Sequence, residues 1–155
     1  MNLRLCEKFD EQIWIELNQE FMNFEIQDNS LWNNTQKNSR EVFKQTFIEA
    51  LENSDLIKLF LIEYENEVIG FANLIIIFSI WAHGKALILD DLFIKEDYRK
   101  KGLGKKALDC IELYAKENRY NRLQFQSELT NHAAFAFYTS IGYVSTKMHF
   151  YMKHL

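Results

Sequence analysis

The sequence predicts an α+β sandwich, in which helices interleave with a largely antiparallel sheet. Two observations carry this expectation. The apolar runs Leu56 to Tyr64 and Val68 to Ile80 are joined across Glu65-Asn66-Glu67, a hairpin signal. Further on, the run Ala86-Leu87-Ile88-Leu89-Asp90-Asp91-Leu92-Phe93-Ile94 leads into the glycine-containing turn Arg99-Lys100-Lys101-Gly102-Leu103-Gly104-Lys105. Leu103, Ala107, Leu108, Ile111 and Ala115 then recur at helical spacing. A chain of 155 residues with 48% hydrophobic content suits one domain, 1–155, with an ordinary core.

The elements follow in order. A short strand at Leu3 to Cys6 precedes a helix from about Asp10, whose apolar positions include Ile13, Ile15, Leu17, Phe21 and Met22. A polar connection from Gln27 to Asn38, containing Trp32, comes next. Ser39 can cap a second helix that carries Val42, Phe43, Phe47, Ile48 and Leu51. After the hairpin, the strand, the turn and its helix, a strand is expected near Leu123 to Gln126. A helix from Asn131 to Ile141 and a C-terminal strand or pair through Met152 complete the order. The chain contains no proline, so glycine and asparagine are its main punctuation.

Composition excludes several classes of function. The N-terminus, Met1-Asn2-Leu3-Arg4-Leu5-Cys6-Glu7, lacks the long apolar core of a secretory signal, and a cytoplasmic protein is expected. The longest apolar stretch, Leu74 to Ala82 with one serine, is far short of the ~20 residues that cross a bilayer. It reads instead as a central strand covered on both faces. Cys6 and Cys110 are isolated and fit buried reduced thiols rather than a disulfide framework. His83, His132, His149 and His154 show no metal-ligand spacing, so no metal is expected. The net charge of -4 and the lack of interleaved aromatics in the basic stretch argue against nucleic acid.

The basic stretch is local: six of the twelve residues from Lys95 to Lys106 are Lys or Arg. A strand that feeds a helix through a glycine turn aims unpaired backbone N–H groups at one point, where the helix dipole also favours an anion. Gly102 and Gly104 would let a diphosphate approach the backbone. The spacing fits neither the nucleotide phosphate-binding loop, which needs Gly-x-x-x-x-Gly-Lys-Ser/Thr, nor the three-glycine dinucleotide fingerprint. Taken alone, Gly-x-Gly with basic neighbours reads equally well as a solvated turn.

A second cluster, Asn131-His132-Ala133-Ala134-Phe135-Ala136-Phe137-Tyr138-Thr139-Ser140-Ile141-Gly142-Tyr143, makes the pattern specific. Arg-x-x-Gly-x-Gly followed by Asn-x-x-Ala-x-x-Phe-Tyr-x-x-Ile-Gly-Tyr resembles the GNAT superfamily of acetyl-CoA-dependent N-acetyltransferases. The run from Val68 through Trp81 and Gly84-Lys85 to Leu89-Asp90-Asp91-Leu92-Phe93-Ile94 is closest in pattern to the spermidine/spermine branch. The resemblance implies a GNAT-like mixed, largely antiparallel sheet with helices on both faces and a central strand that carries a bulge and splays from the next strand. It also implies acetyl-CoA as the acetyl donor, a small-molecule amine as acceptor, and the homodimerisation common in that superfamily. No nucleic acid, membrane or metal partner is implied.

By the same resemblance, Leu92, Phe93 and Ile94 would hold the pantetheine arm, and the N–H groups of Lys100, Lys101, Gly102, Leu103, Gly104 and Lys105 the diphosphate. Arg99 would order the turn, Asn131 would contact the cofactor, and Tyr138 would protonate the departing thiolate. Phe24-Glu25 resembles an aromatic-acidic pair that holds a polyamine, so Glu25 and Asp90 would attract a cationic acceptor. Acetyl transfer needs a neutral amine, and an amine of pKa near ~10 is only about one part in a thousand neutral at pH 7. A carboxylate is therefore expected to take its proton. Asp90 stands where the polyamine enzymes usually have glutamate, which favours relay through a water. Asp90 and Asp91 should face opposite sides of the strand unless a bulge intervenes, so that one alone reaches the cleft. Ser145-Thr146-Lys147-Met148-His149 departs from the polyamine pattern, leaving thialysine-like amino acids, aminoglycosides and protein lysines open as acceptors. An acyl-CoA-binding sensor without transfer is the alternative of a different class.

Overall fold

A computed structural model describes residues 1–25, 39–149, 151 and 153, apart from the side chains of Phe24 and Glu25. The expected connection from Gln27 to Asn38, with Trp32, lies outside the described residues. Two compact units are present, Met1–Phe125 and Gln126–Leu155.

The first unit is a five-stranded sheet in the order β1 (Asn2–Leu5), β2 (Ile57–Tyr64), β3 (Glu67–Ser79), β4 (Gly84–Ile94), β5 (Arg122–Gln124). The first three pairings are antiparallel and β4–β5 is parallel. Helix α1 spans Glu11–Glu25, α2 Arg40–Glu52 and α3 Leu103–Glu117. The β2–β3 hairpin turns on Glu65 and Asn66, both left-handed at φ 51° and 66°. That pairing of left-handed residues matches the twist of the flanking strands. Ser39 caps α2, its hydroxyl accepting from the Val42 N–H at 3.3 Å.

Strand alternation sorts the core into two layers. On one face Leu59, Leu61, Phe71 and Phe93 pack with Trp14, Ile15 and Leu17 of α1 and Phe47 and Ala50 of α2. On the other, the buried stripe Leu103, Ala107, Leu108, Ile111 and Ala115 belongs to α3, and Phe60 meets the Tyr114 ring edge-on at 4.9 Å. Helices therefore cover both faces of the sheet.

The fully covered part of β3 is Ile69 to Leu74, not the more apolar stretch that follows. Phe78, Ile80 and Trp81 at the β3–β4 tip are exposed, because the strand pair runs beyond the helices that cover it. Strand β5 is also shorter than expected. Its ladder with β4 ends at Ile88–Gln124, while β4 runs on to Ile94. Leu89 to Ile94 therefore have no strand partner on that edge among the described residues, which is the splay expected of this fold.

The second unit contains α4, His132–Ser140. Residues 143–149 form no strand, contrary to expectation, and Phe150 and Met152 lie outside the described residues. Val144, Met148 and Tyr151 are exposed. Among the described residues no helix is long and apolar enough to cross a membrane.

Candidate active site

The β3–β4 ladder pairs Asn73 with Asp91 and Leu74 with Leu89, so Asp90 is an extra residue on β4. This bulge breaks the alternation that would send neighbouring side chains to opposite faces. Asp90 and Asp91 consequently line the same cleft, correcting the expectation that one alone would reach it. The cleft holds about 220 Å³, and its aromatic walls are Trp14 and Phe21 of α1 and Phe43 of α2. No Lys, Arg or His contributes to its described lining.

Asp91 is held from behind. Its Oδ2 accepts from Asn73 Nδ2 at 2.8 Å, and Asn73 Oδ1 accepts from the Trp14 indole N–H at 3.1 Å. Asn18 Oδ1 accepts the same Asn73 amide at 3.4 Å, while Asn18 Nδ2 donates to the Trp14 carbonyl at 2.7 Å. Trp14, Asn18 and Asn73 are all buried. Burial pushes the Asp91 carboxyl up to about 6, the Asn73 hydrogen bond opposes this, and the Asp90 charge adds to it. Asp90 reaches solvent at the mouth of the cleft, and crowding by the surrounding protein raises its pKa more modestly.

Sequence reasoning singled out neither Asn73 nor its partners Trp14 and Asn18. The available signal was a lone asparagine inside the apolar run Phe71-Ala72-Asn73-Leu74-Ile75, since a buried amide needs partners. The side chain of Glu25, at the end of α1, lies outside the described residues.

The glycine turn sits at the far end of β4. The Lys95 N–H donates to the Ile69 carbonyl at 2.8 Å, so alternation turns the backbone of Phe93 towards β3 and that of Leu92 and Ile94 towards the unpaired edge. Arg99 Nε donates to the Ile94 carbonyl on that edge at 2.7 Å, tying the turn to the strand. Gly102 precedes α3 at φ 73°, with open space where a Cβ would stand, and no side chain caps the helix. The N–H groups of Leu103, Gly104 and Lys105 start α3 without intrahelical acceptors. The basic side chains are largely engaged elsewhere: Lys105 with Asp109 at 2.8 Å, Lys101 over the Tyr98 ring and Lys106 over the Tyr64 ring. Lys100 is exposed in a left-handed conformation at φ 58°. What the turn offers an anion is chiefly backbone N–H, which suits a diphosphate.

In the second unit Asn131 caps α4, its Oδ1 accepting from the Ala134 N–H at 3.0 Å, which leaves its amide free to serve as a donor. Tyr138 is half-buried between the rings of Phe137 and Tyr143, at 5.2 and 6.1 Å between centroids. Among the described residues no three His, Cys, Asp or Glu side chains gather as a metal-binding group.

The family model described as the acetyltransferase (GNAT) family matches residues 14–143. An uncharacterised N-acetyltransferase of Bacillus subtilis, YhfO, is 35% identical over 100 residues, covering 64% of this chain and 66% of that protein, just under two thirds of its length. Streptothricin acetyltransferase A of the same organism is 34% identical over 131 residues, covering 79% of this chain and 73% of the relative. Among solved structures, a probable acetyltransferase superposes with TM-score 0.80 at 18% identity, covering 100% of this chain and 98% of the other. The aminoglycoside N-acetyltransferase AAC(6')-Iy in complex with CoA superposes with TM-score 0.75 at 14% identity, covering 99% and 93%.

Proposed function

The chain belongs to the acetyltransferase (GNAT) family, and from that premise we propose that it is an N-acetyltransferase that moves an acetyl group from acetyl-CoA directly to a primary amine of a small cationic molecule, polyamine-like or amino-acid-like, in a ternary complex. The observation that carries this reading is the bulge that brings Asp90 and Asp91 into one aromatic-walled cleft with no cationic residue in its described lining. Two carboxylates favour entry of an ammonium, and a base must then make it neutral.

Acetyl-CoA supplies an activated acetyl carbonyl when bound. For this chain, the backbone N–H groups from Lys100 to Lys105 are the proposed diphosphate seat, with Arg99 bracing the turn. The Leu92 to Ile94 segment, through the outward groups of Leu92 and Ile94, is the proposed contact for the pantetheine arm. Asn131 is the proposed side-chain contact to the donor. Tyr138, a phenol protonated at pH 7, is the proposed proton donor to the thiolate. Asp90 is proposed to draw in the ammonium, and a carboxylate of the Asp90–Asp91 pair to take its proton. A cytoplasmic location, a single functional domain and a homodimer belong to the same proposal.

The acceptor panel follows from the cleft and from the similar proteins. Polyamines and amino acids test the sequence resemblance. Streptothricin and aminoglycosides are included because acetyltransferases named for them are similar to this chain in sequence or fold. Calorimetric titration with acetyl-CoA, followed by thiol release across this panel and lysine peptides, tests the reading. Binding with acceptor-dependent thiol release supports it. Binding without release from any acceptor returns the chain to the sensor alternative, and no binding by folded protein refutes both.

A further inference from the structure

The geometry points to Asp91, oriented by Asn73, as the group that accepts the acceptor's proton, with Asp90 remaining charged as the counter-ion at the mouth of the cleft. This deepens the acetyl-transfer reading and rests on it. The bulge puts both carboxylates on one side, but only Asp91 is locked. An indole can only donate, so Asn73 must turn its oxygen to Trp14 and its amide to Asp91. That arrangement fixes Asp91 Oδ2, and Oδ1 accepts no hydrogen bond among the described residues. Asp90 has no comparable tether among the described residues.

The surroundings order the two proton affinities. Among the described lining residues, α1, α2, β2 and β3 contribute no titratable side chain, and Asp90 is the one charged neighbour of Asp91. Burial and that neighbour raise Asp91 to about 6, which makes it the first of the pair to take a proton. An ordinary aspartate lies about six units below an amine of pKa ~10, whereas a group near 6 lies about four below, so the uphill transfer is about a hundredfold easier.

The step balances without another reactant. Asp91 takes one proton from the ammonium, and the neutral nitrogen forms a bond to the acetyl carbon as the carbon–sulfur bond breaks. The thiolate gains a proton as the nitrogen loses its second, and Asp91 returns its proton to solvent. Asn73 acts through Asp91 and is a positioning residue.

The test uses the full chain with an acceptor that gives thiol release in the wild-type protein. Asp91→Asn is expected to lower kcat about a hundredfold or more while acetyl-CoA binding by calorimetry is kept. Asp90→Asn is expected to raise KM with a smaller effect on kcat and to move the acidic limb of the pH–rate profile to lower pH. Asn73→Ala, by removing the hydrogen bond, is expected to move that limb to higher pH, a shift that looser packing alone would not produce. Carboxyl carbon NMR of the unmodified protein gives an independent readout: Asp91 should titrate above Asp90. Loss of kcat on Asp90→Asn with retention on Asp91→Asn, or an inverted titration order, overturns the assignment while acetyl transfer stands. No acceptor-dependent release by the wild-type protein overturns the parent reading and this one with it.

Discussion

Replacing Gly70 by alanine should be far more damaging than the same change at Gly102, although only Gly102 has a conformation that favours glycine. At Gly70 an added Cβ would stand 2.0 Å from the Phe93 carbonyl oxygen, 3.0 Å from its carbon and 3.1 Å from Ile94 Cα. All three are backbone atoms, so no side chain can swing aside. A close carbon–oxygen contact is about 3.3 Å, so β3 and β4 would have to part by about 1.3 Å. Overpacking of this kind costs about 1–3 kcal/mol, and the Lys95–Ile69 hydrogen bond beside it adds about 1 kcal/mol if it fails. A loss of about 3 kcal/mol corresponds to a fall in Tm of about 6–12 °C for a chain of this size. At Gly102 the Cβ meets nothing within 4 Å, so the cost is the left-handed backbone alone, about 1 kcal/mol. Urea unfolding of both variants measures the difference. Because the Gly70 distortion falls on the segment Leu92 to Ile94, acetyl-CoA affinity measured by calorimetry should fall with stability. A Gly70→Ala protein within about 0.5 kcal/mol of wild type, or a costlier Gly102→Ala, would refute this reasoning.

Three further outcomes are expected. Asp91 holds its proton more tightly when folded, so the native state loses stability as pH rises from the ordinary 3.8 to about 6 and carries the full penalty above that. Asp91→Asn should therefore be more stable than wild type by about 2 kcal/mol at about pH 7.5 and little changed near pH 4, while losing activity; equal stability at both pH values would contradict the site's electrostatics. Asp10 has the opposite sign: the Arg4 guanidinium grips both its oxygens at 2.8 and 2.9 Å and holds its pKa below the usual carboxylate value. Its contribution is present above about pH 4 and disappears as pH falls through the lowered value, so Asp10→Asn should cost about 3 kcal/mol near neutrality and flatten the acid arm of the unfolding curve. Burial pushes the Cys6 thiol up to about 12, so native protein treated with iodoacetamide should label at half-buried Cys110 before Cys6, as mass spectrometry would read.

Local patterns were readable because each rests on a few adjacent residues. Ser39 announces α2 by being a side-chain acceptor just before an apolar periodicity, and its hydroxyl makes that bond. Glu65 and Asn66 separate two apolar runs and form the hairpin turn. The helix after Gly102 follows from the 3.6-residue recurrence of Leu103, Ala107, Leu108, Ile111 and Ala115, and these are its buried residues. The cleft was less readable because it depends on register. A period of two cannot show where a ladder slips by one residue, so alternation alone put Asp90 and Asp91 on opposite faces, and a bulge was implied only by the family resemblance. Asn73 and Trp14 lie 59 residues apart and meet only through the packing of α1 on β3. Hydrophobicity also misled: Leu74 to Ala82 is the most apolar stretch, yet its end at Ile80 and Trp81 is exposed because coverage depends on where the helices stop.

The bulge has a consequence for how such a cleft can be inherited. With Asp90 removed, Asn73 would still face Asp91 and Leu74 would still face Leu89, now as successive rungs of an unbroken ladder. The second carboxylate is thus an inserted residue that the sheet does not need for its pairing. A one-codon deletion or insertion converts a plain antiparallel strand pair into one that gathers two acids on a single side, while Leu89 and Phe93 of the core keep their partners. The charge of the cleft and the pairing of the sheet are separable in this chain at the level of a single codon.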